Sequence, residues 1–94
     1  MTDLCNEIEK FGKGIGNTSR YRIIEALFQG PKTVSKLVKA VRQSQPLVSQ
    51  HLRVLKSSDI VVDERRGKQI LYSLNTAHVV NLLGALVKEV KQKK

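Results

Sequence analysis

The sequence predicts a mainly α fold with a small β-hairpin: four helices, two strands and a closing helix. Three observations predict it. Apolar residues recur at three- and four-residue spacing through most of the chain, the pattern of amphipathic helices. Around Arg66-Gly67 the pattern turns strand-like, and Gly, Pro, Ser, Thr and Asn stand where helix ends belong. The chain's 94 residues, 40% of them hydrophobic, suit a single domain over 1–94, able to bury a core but of a size that a partner subunit often stabilises.

Leu4, Ile8 and Phe11 mark the first helix. GKGIGNT then breaks the pattern with three glycines and offers Asn17 or Thr18 as an N-cap. GKGIG is too short for a phosphate cradle and no strand precedes it, so it reads as a flexible interhelix turn. In the second helix Tyr21, Ile24, Leu27 and Phe28 carry the apolar face, and Gly30-Pro31 stops it. Thr33 caps a short third helix bearing Val34, Leu37, Val38 and Val41. Only Arg42 and Gln43 separate it from Ser44, the cap of a fourth helix with Pro46 in its first turn, where a missing N–H costs nothing. Two short helices joined so tightly form a helix-turn-helix.

The fourth helix frays near Ser57, Ser58 and Asp59. IVVDERRGKQILYSL then reads as a hairpin wing, with Ile70, Tyr72 and Leu74 on one face. Asn75 or Thr76 caps the long last helix, which ends in KQKK.

SQPLVSQHLRVLK, residues 44 to 56, carries the functional signal. At about 100° per residue, Val48, Leu52 and Leu55 centre an apolar stripe, flanked by Leu47, His51 and Val54. The opposite arc holds Gln45, Ser49, Gln50, Arg53 and Lys56. Gln can bond adenine at two atoms, Arg can do so to guanine, and Ser serves base or phosphate. No Asp or Glu occurs between Glu25 and Asp59, whereas Lys32, Lys36, Lys39, Arg42, Arg53 and Lys56 do. A plain solvated face is the competing reading of this arc. The tight turn before it, the basic loop ERRGKQ after it and the formal charge of +9, from 17 Lys and Arg against 8 Asp and Glu, weigh toward duplex DNA. Four aromatics, Phe11, Tyr21, Phe28 and Tyr72, are too few for a platform that stacks single-stranded bases.

Residues 17 to 75 resemble the ArsR-type family of bacterial winged-helix repressors. NTSRYRIIEALFQGP is similar to its second helix, SQPLVSQHLRVLKSSDIV to its recognition helix and DERRGKQILYSLN to its wing. The resemblance implies a winged helix-turn-helix that dimerises, binds operator DNA and represses transcription until a signal releases it. It implies that Gln45, Ser49, Gln50, His51 and Arg53 face the groove and that Arg65, Arg66 and Lys68 of the wing contact phosphate or minor groove. The candidate DNA-binding set is therefore Ser44, Gln45, Ser49, Gln50, His51, Arg53, Lys56, Arg65, Arg66 and Lys68. The position of His51 on the apolar flank favours a partly buried, hydrogen-bonded histidine over a base contact, although its ring could also reach a phosphate. Arg42 and Gln43 depart from the family's usual glycine and aliphatic residue, which costs about 1 kcal/mol if Arg42 turns left-handed.

On the last helix Val79, Leu83, Leu86 and Val90 share a face that Val80, Leu82 and Val87 widen beyond the needs of one core, and Gly84 permits close approach of another backbone. A homodimer is expected through the first and last helices, using Leu4, Ile8, Phe11, Val79, Leu82, Leu83 and Leu86. Cover of that surface by the first helix within one chain is the alternative.

The family's cysteine-pair metal site is absent, since TVSKL has no thiol. Its zinc-type positions on the last helix read Thr76, His78, Glu89 and Gln92, so only His78 and Glu89 are weak metal candidates, about 16 Å apart along one helix. No metal or other cofactor is expected. Cys5, the only cysteine, reads as an apolar filler, excludes an internal disulfide and fits a reducing compartment. No nucleophile-base arrangement suggests an enzyme. MTDLCNEIEK lacks a basic-then-apolar signal pattern and no apolar run is long enough to span a bilayer, so a soluble cytoplasmic protein is expected. The sequence names no small-molecule or redox effector. A winged-helix module docking an acidic protein is the second functional reading.

Overall fold

The computed structural model describes residues 2–92. Helix α1 (Thr2–Ile15) runs straight through the glycine-rich stretch that was expected to be a turn. The reason is packing. Gly14 is buried, and a Cβ on it would collide with Ile60 Cδ1 and lie 3.4 Å from Ser58 Cβ. The glycine thus brings the end of α1 against the segment that follows the fourth helix. Arg20 closes that end from the next helix: its Nε donates to Gly14 O and its Nη2 to Lys13 O, both at 2.9 Å.

Helix α2 (Thr18–Ala26) starts at the Asn17 cap, whose Oδ1 accepts from the Arg20 amide at 3.0 Å. It tightens into a 3-10 turn, Leu27–Gln29, and stops at Gly30, whose φ of 124° suits glycine. Its buried face is Ile23, Ile24 and Leu27; Ile24 and Leu27 were expected from the sequence and Ile23 was not. Tyr21 and Phe28 remain 46% and 61% exposed. Two aromatics of the expected core are therefore on the surface, and Ile23 is inside.

Thr33 caps α3 (Val34–Val41), which buries Leu37 and Val41, and Ser44 caps α4 (Gln45–Ser57), which buries Val48, Leu52 and Leu55. Strands β1 (Val61–Arg66) and β2 (Gln69–Leu74) pair antiparallel from Val61↔Leu74 to Arg66↔Gln69, closed by Gly67 at φ 62°. Tyr72 and Leu74 pack on the core; Ile70, expected on the same face, is exposed near the hairpin tip. A contact not foreseen anchors the wing. Lys32 donates its amide to Tyr72 O at 3.0 Å and accepts from Tyr72 N at 2.8 Å, so the residue before the α3 cap extends the sheet by one bridge.

Asn75 Oδ1 accepts from His78 N at 3.3 Å and starts α5 (Thr76–Gln92). The core is one cluster in which Ile23, Leu37, Val48, Leu52, Leu55, Ile60 and Val61 are all but fully buried. Each such aliphatic side chain contributes about 1.5–3 kcal/mol on transfer from water. Five helices and one hairpin in this order make a winged helix-turn-helix. Among the described residues no helix is long and apolar enough to cross a membrane.

Candidate nucleic-acid interface

The turn between α3 and α4 sets the angle of the outward face. Arg42 adopts the left-handed conformation, φ 57° and ψ 45°, and its amide still reaches Val38 O at 2.9 Å. Gln43 then donates through Nε2 to Ser19 Oγ at 2.7 Å, tying the turn to α2. Ser44 Oγ accepts from Leu47 N at 3.4 Å, and Pro46 occupies the first turn. A left-handed residue followed at once by a capped helix makes α4 leave α3 sharply. Its first turn thereby stands clear of the body.

The rotational order of α4 appears in the structure. Gln45, Gln50, Arg53 and Lys56 are exposed and Ser49 is half-buried, while the opposite side enters the core. Ser44 is exposed too, with its oxygen occupied as the cap. His51 is a correction to the groove-facing set. It lies with Val48, Leu52 and Leu55 on the buried side, and its Nδ1 is buried without a hydrogen-bond partner. Burial first, and then the charge of Arg20, lower its pKa below the ordinary 6.5. Leu47, placed on the apolar flank by the sequence, is exposed at the outer edge of α4.

Two cations of the candidate set are paired, which sequence order alone did not reveal. Lys56 Nζ donates to Asp63 Oδ2 at 2.9 Å, and this hydrogen bond, followed by the carboxylate's charge, raises the lysine's pKa. Arg66 Nε lies 3.3 Å from Glu64 Oε2 on the wing. Arg53, Arg65 and Lys68 are exposed and, among the described residues, have no carboxylate within salt-bridge reach. The arc of α4 itself carries no carboxylate, as expected, but the wing brings Asp63 against Lys56 at its end.

Away from the outward arc of α4, α1 and α5 pack against each other. Leu82 is buried within the single chain; Leu4, Ile8, Phe11 and Val79 are half-buried, and Leu83 and Leu86 are exposed. Val80, Val87 and Val90 add an exposed apolar strip along α5, and an apolar groove runs beside it between Phe11, Tyr21, Phe28, Leu74 and Val79. Cys5 is exposed, not the filler expected of it. Glu89 is exposed, whereas His78 is half-buried with Nε2 3.5 Å from Glu7 Oε1 on α1. The pair that sequence placed on one helix is thus divided between two surroundings.

Residues 17–62 match the family model described as bacterial regulatory protein, arsR family. The chain is 39% identical over 64 residues to the HTH-type transcriptional repressor SmtB of Mycobacterium tuberculosis, an alignment covering 68% of this chain and 47% of that repressor. It therefore spans about half the length of that relative. The biofilm growth-associated repressor of Xylella fastidiosa is 34% identical over 86 residues, 92% of this chain and 75% of its own. Among solved structures, the homodimeric winged helix-turn-helix DNA-binding domain of a possible ArsR-family regulator from Mycobacterium bovis superposes with a TM-score of 0.79. It shares 28% identity over 98% of this chain and 84% of that one.

Proposed function

The chain belongs to the ArsR family of bacterial regulatory proteins, and from that membership we propose that it is a sequence-specific, double-stranded DNA-binding transcriptional repressor. It acts as one domain over residues 1–94 and works in the cytoplasm without catalysing a reaction. The observation that carries this reading is α4: capped, set off by the left-handed Arg42, and bearing Gln45, Ser49, Gln50 and Arg53 on an arc without a carboxylate. Such a helix enters a major groove with amide and guanidinium groups toward base edges. Ser44, Arg65, Arg66 and Lys68 meet phosphates beside it, joined by Lys56 once it leaves Asp63.

Two copies reading one duplex require a twofold pair. The strip of Val80, Leu83, Leu86, Val87 and Val90, with the groove at its side, supports a homodimer through α1 and α5, and the homodimeric state of the relative from Mycobacterium bovis supports pairing as such.

The test is selection of duplexes from random DNA, followed by titration of the selected site and a scrambled one at two salt concentrations. The expected result is preference for the selected site, affinity falling steeply with salt, and sedimentation as a dimer. Absence of duplex binding, or binding of an acidic protein by the same helix in its place, contradicts the proposal.

A further inference from the structure

We propose that Glu7, Asp59 and His78 form a binding site for a divalent first-row transition-metal ion, with zinc as the reference ion. The donors come from three parts of the fold: Glu7 from α1, Asp59 from the turn after α4, and His78 from the first turn of α5. One ligand atom from each lies within 4.8 Å of the other two. His78 Nε2 and Glu7 Oε1 are 3.5 Å apart. Ligand atoms at zinc distances of roughly 2.0–2.2 Å in a tetrahedron stand about 3.4 Å from one another, so this pair is already spaced for a shared ion. Asp59 is exposed, and its nearest carboxylate oxygen lies within 4.8 Å of the other two donors, in place to be drawn in as the third ligand.

A second observation points the same way. Glu7 Oε1 is buried and has no hydrogen-bond partner, in a chain whose carboxylates are few and whose cations are many. The nearest donor, His78 Nε2 at 3.5 Å, is too far for a good hydrogen bond, and a cation between the two would satisfy both. No Lys or Arg lies within salt-bridge reach of Glu7 among the described residues, and the neighbour it has is an imidazole, itself a metal ligand when neutral.

One imidazole and two carboxylates suit zinc or manganese better than magnesium, which keeps its waters and favours oxygen alone. Three protein ligands leave a fourth position for water. The site shares only His78 with the pair considered from the sequence; Glu89 has no part in it. Bound there, an ion ties the α1–α5 pair to the exit of α4. The inference stands independently of the DNA reading.

The experiment is zinc titration of the 94-residue chain against a chromophoric chelator, repeated for Glu7→Gln, Asp59→Asn and His78→Gln, with far-UV circular dichroism to establish folding. The wild type should take up one zinc per chain and gain thermal stability, and each variant should bind at least about 10-fold more weakly. Asp59→Asn is decisive for folding, because Asp59 is exposed and outside the Glu7–His78 pair. Manganese should compete for the site and magnesium should not. The proposal is overturned if the wild type takes up no zinc, if all three variants bind as it does, if magnesium competes equally, or if only Cys5→Ser or Glu89→Gln removes binding.

Discussion

Lys56 at the end of α4 and Asp63 on β1 are joined by a 2.9 Å hydrogen-bonded ion pair that links the helix to the wing. The lysine side chain is 56% exposed, so the pair is screened and adds little to stability. Its weight falls on DNA. In the proposed complex Asp63 competes with a phosphate for Lys56, and places a negative charge beside the duplex. Asp63→Asn should leave the melting temperature nearly unchanged, raise duplex affinity, and steepen the slope of log K against log salt by roughly 0.9, the value for one further phosphate contact. An unchanged slope would mean that Lys56 does not reach the backbone.

Gly12 and Gly14 sit two residues apart in α1 and should respond oppositely to alanine. A Cβ at Gly12 meets nothing within 4 Å, so Gly12→Ala gains helix propensity, roughly 0.5–1 kcal/mol. At Gly14 the same methyl drives into Cδ1 of Ile60, a side chain buried in the core, so accommodating it means repacking there. Gly14→Ala should cost about 1–3 kcal/mol by overpacking, seen as a lower urea midpoint.

These two glycines also show where sequence reading stops. Thr33, Ser44, Pro46, Gly67 and Asn75 were legible because a cap or hairpin turn is decided within a few residues of chain. The order of elements and the outward arc of α4 followed from them. The role of Gly14 depends on Ile60, the anchoring of the wing on Lys32 meeting Tyr72, and the quenching of Lys56 on Asp63. None of these partners is close enough in sequence for periodicity to report it. Ile23 was missed for a related reason: adjacent apolar residues in α2 allow two faces, and only the packing of α3 and α4 selects one. The Glu7–Asp59–His78 cluster is likewise assembled from three distant segments.

Arg42 holds a left-handed conformation that L-residues other than Asn, Asp and Gly adopt at a cost of about 1–2 kcal/mol. Arg42→Gly should therefore stabilise the chain by about 1 kcal/mol, less the entropy that glycine adds to the unfolded state. Denaturant unfolding measures it. A loss of stability would show that the arginine side chain holds the turn by contacts that outweigh the backbone strain.

His51 makes stability depend on pH. In the unfolded chain it takes up a proton near 6.5, whereas burial and Arg20 lower its pKa in the folded state. Below 6.5 and down to the folded pKa the unfolded chain binds more protons, so stability falls as the pH falls through that window. Above 6.5 both states are neutral and the contribution is constant. The difference in unfolding free energy between wild type and His51→Gln should thus be flat above neutrality and shrink or reverse on acidification. A difference independent of pH would mean that His51 is as easily protonated folded as unfolded.

Gln50 and Lys68 separate reading from holding. Gln50 is exposed on the outer arc of α4, where its amide can pair with two atoms of an adenine, so its loss removes discrimination between bases worth about 1–3 kcal/mol. Lys68 is exposed in the hairpin turn beside Gly67, and in the proposed complex it meets the sugar-phosphate backbone and no base edge. Gln50→Ala should weaken the selected duplex while leaving a scrambled one nearly as before. Lys68→Ala should weaken both by the same factor and flatten the salt slope by roughly 0.9. Competition titrations with the two duplexes at two salt concentrations distinguish the patterns. If both substitutions weaken every duplex alike, α4 supplies charge and contact but not sequence preference, and specificity must then arise from how the paired chains bend or space the DNA.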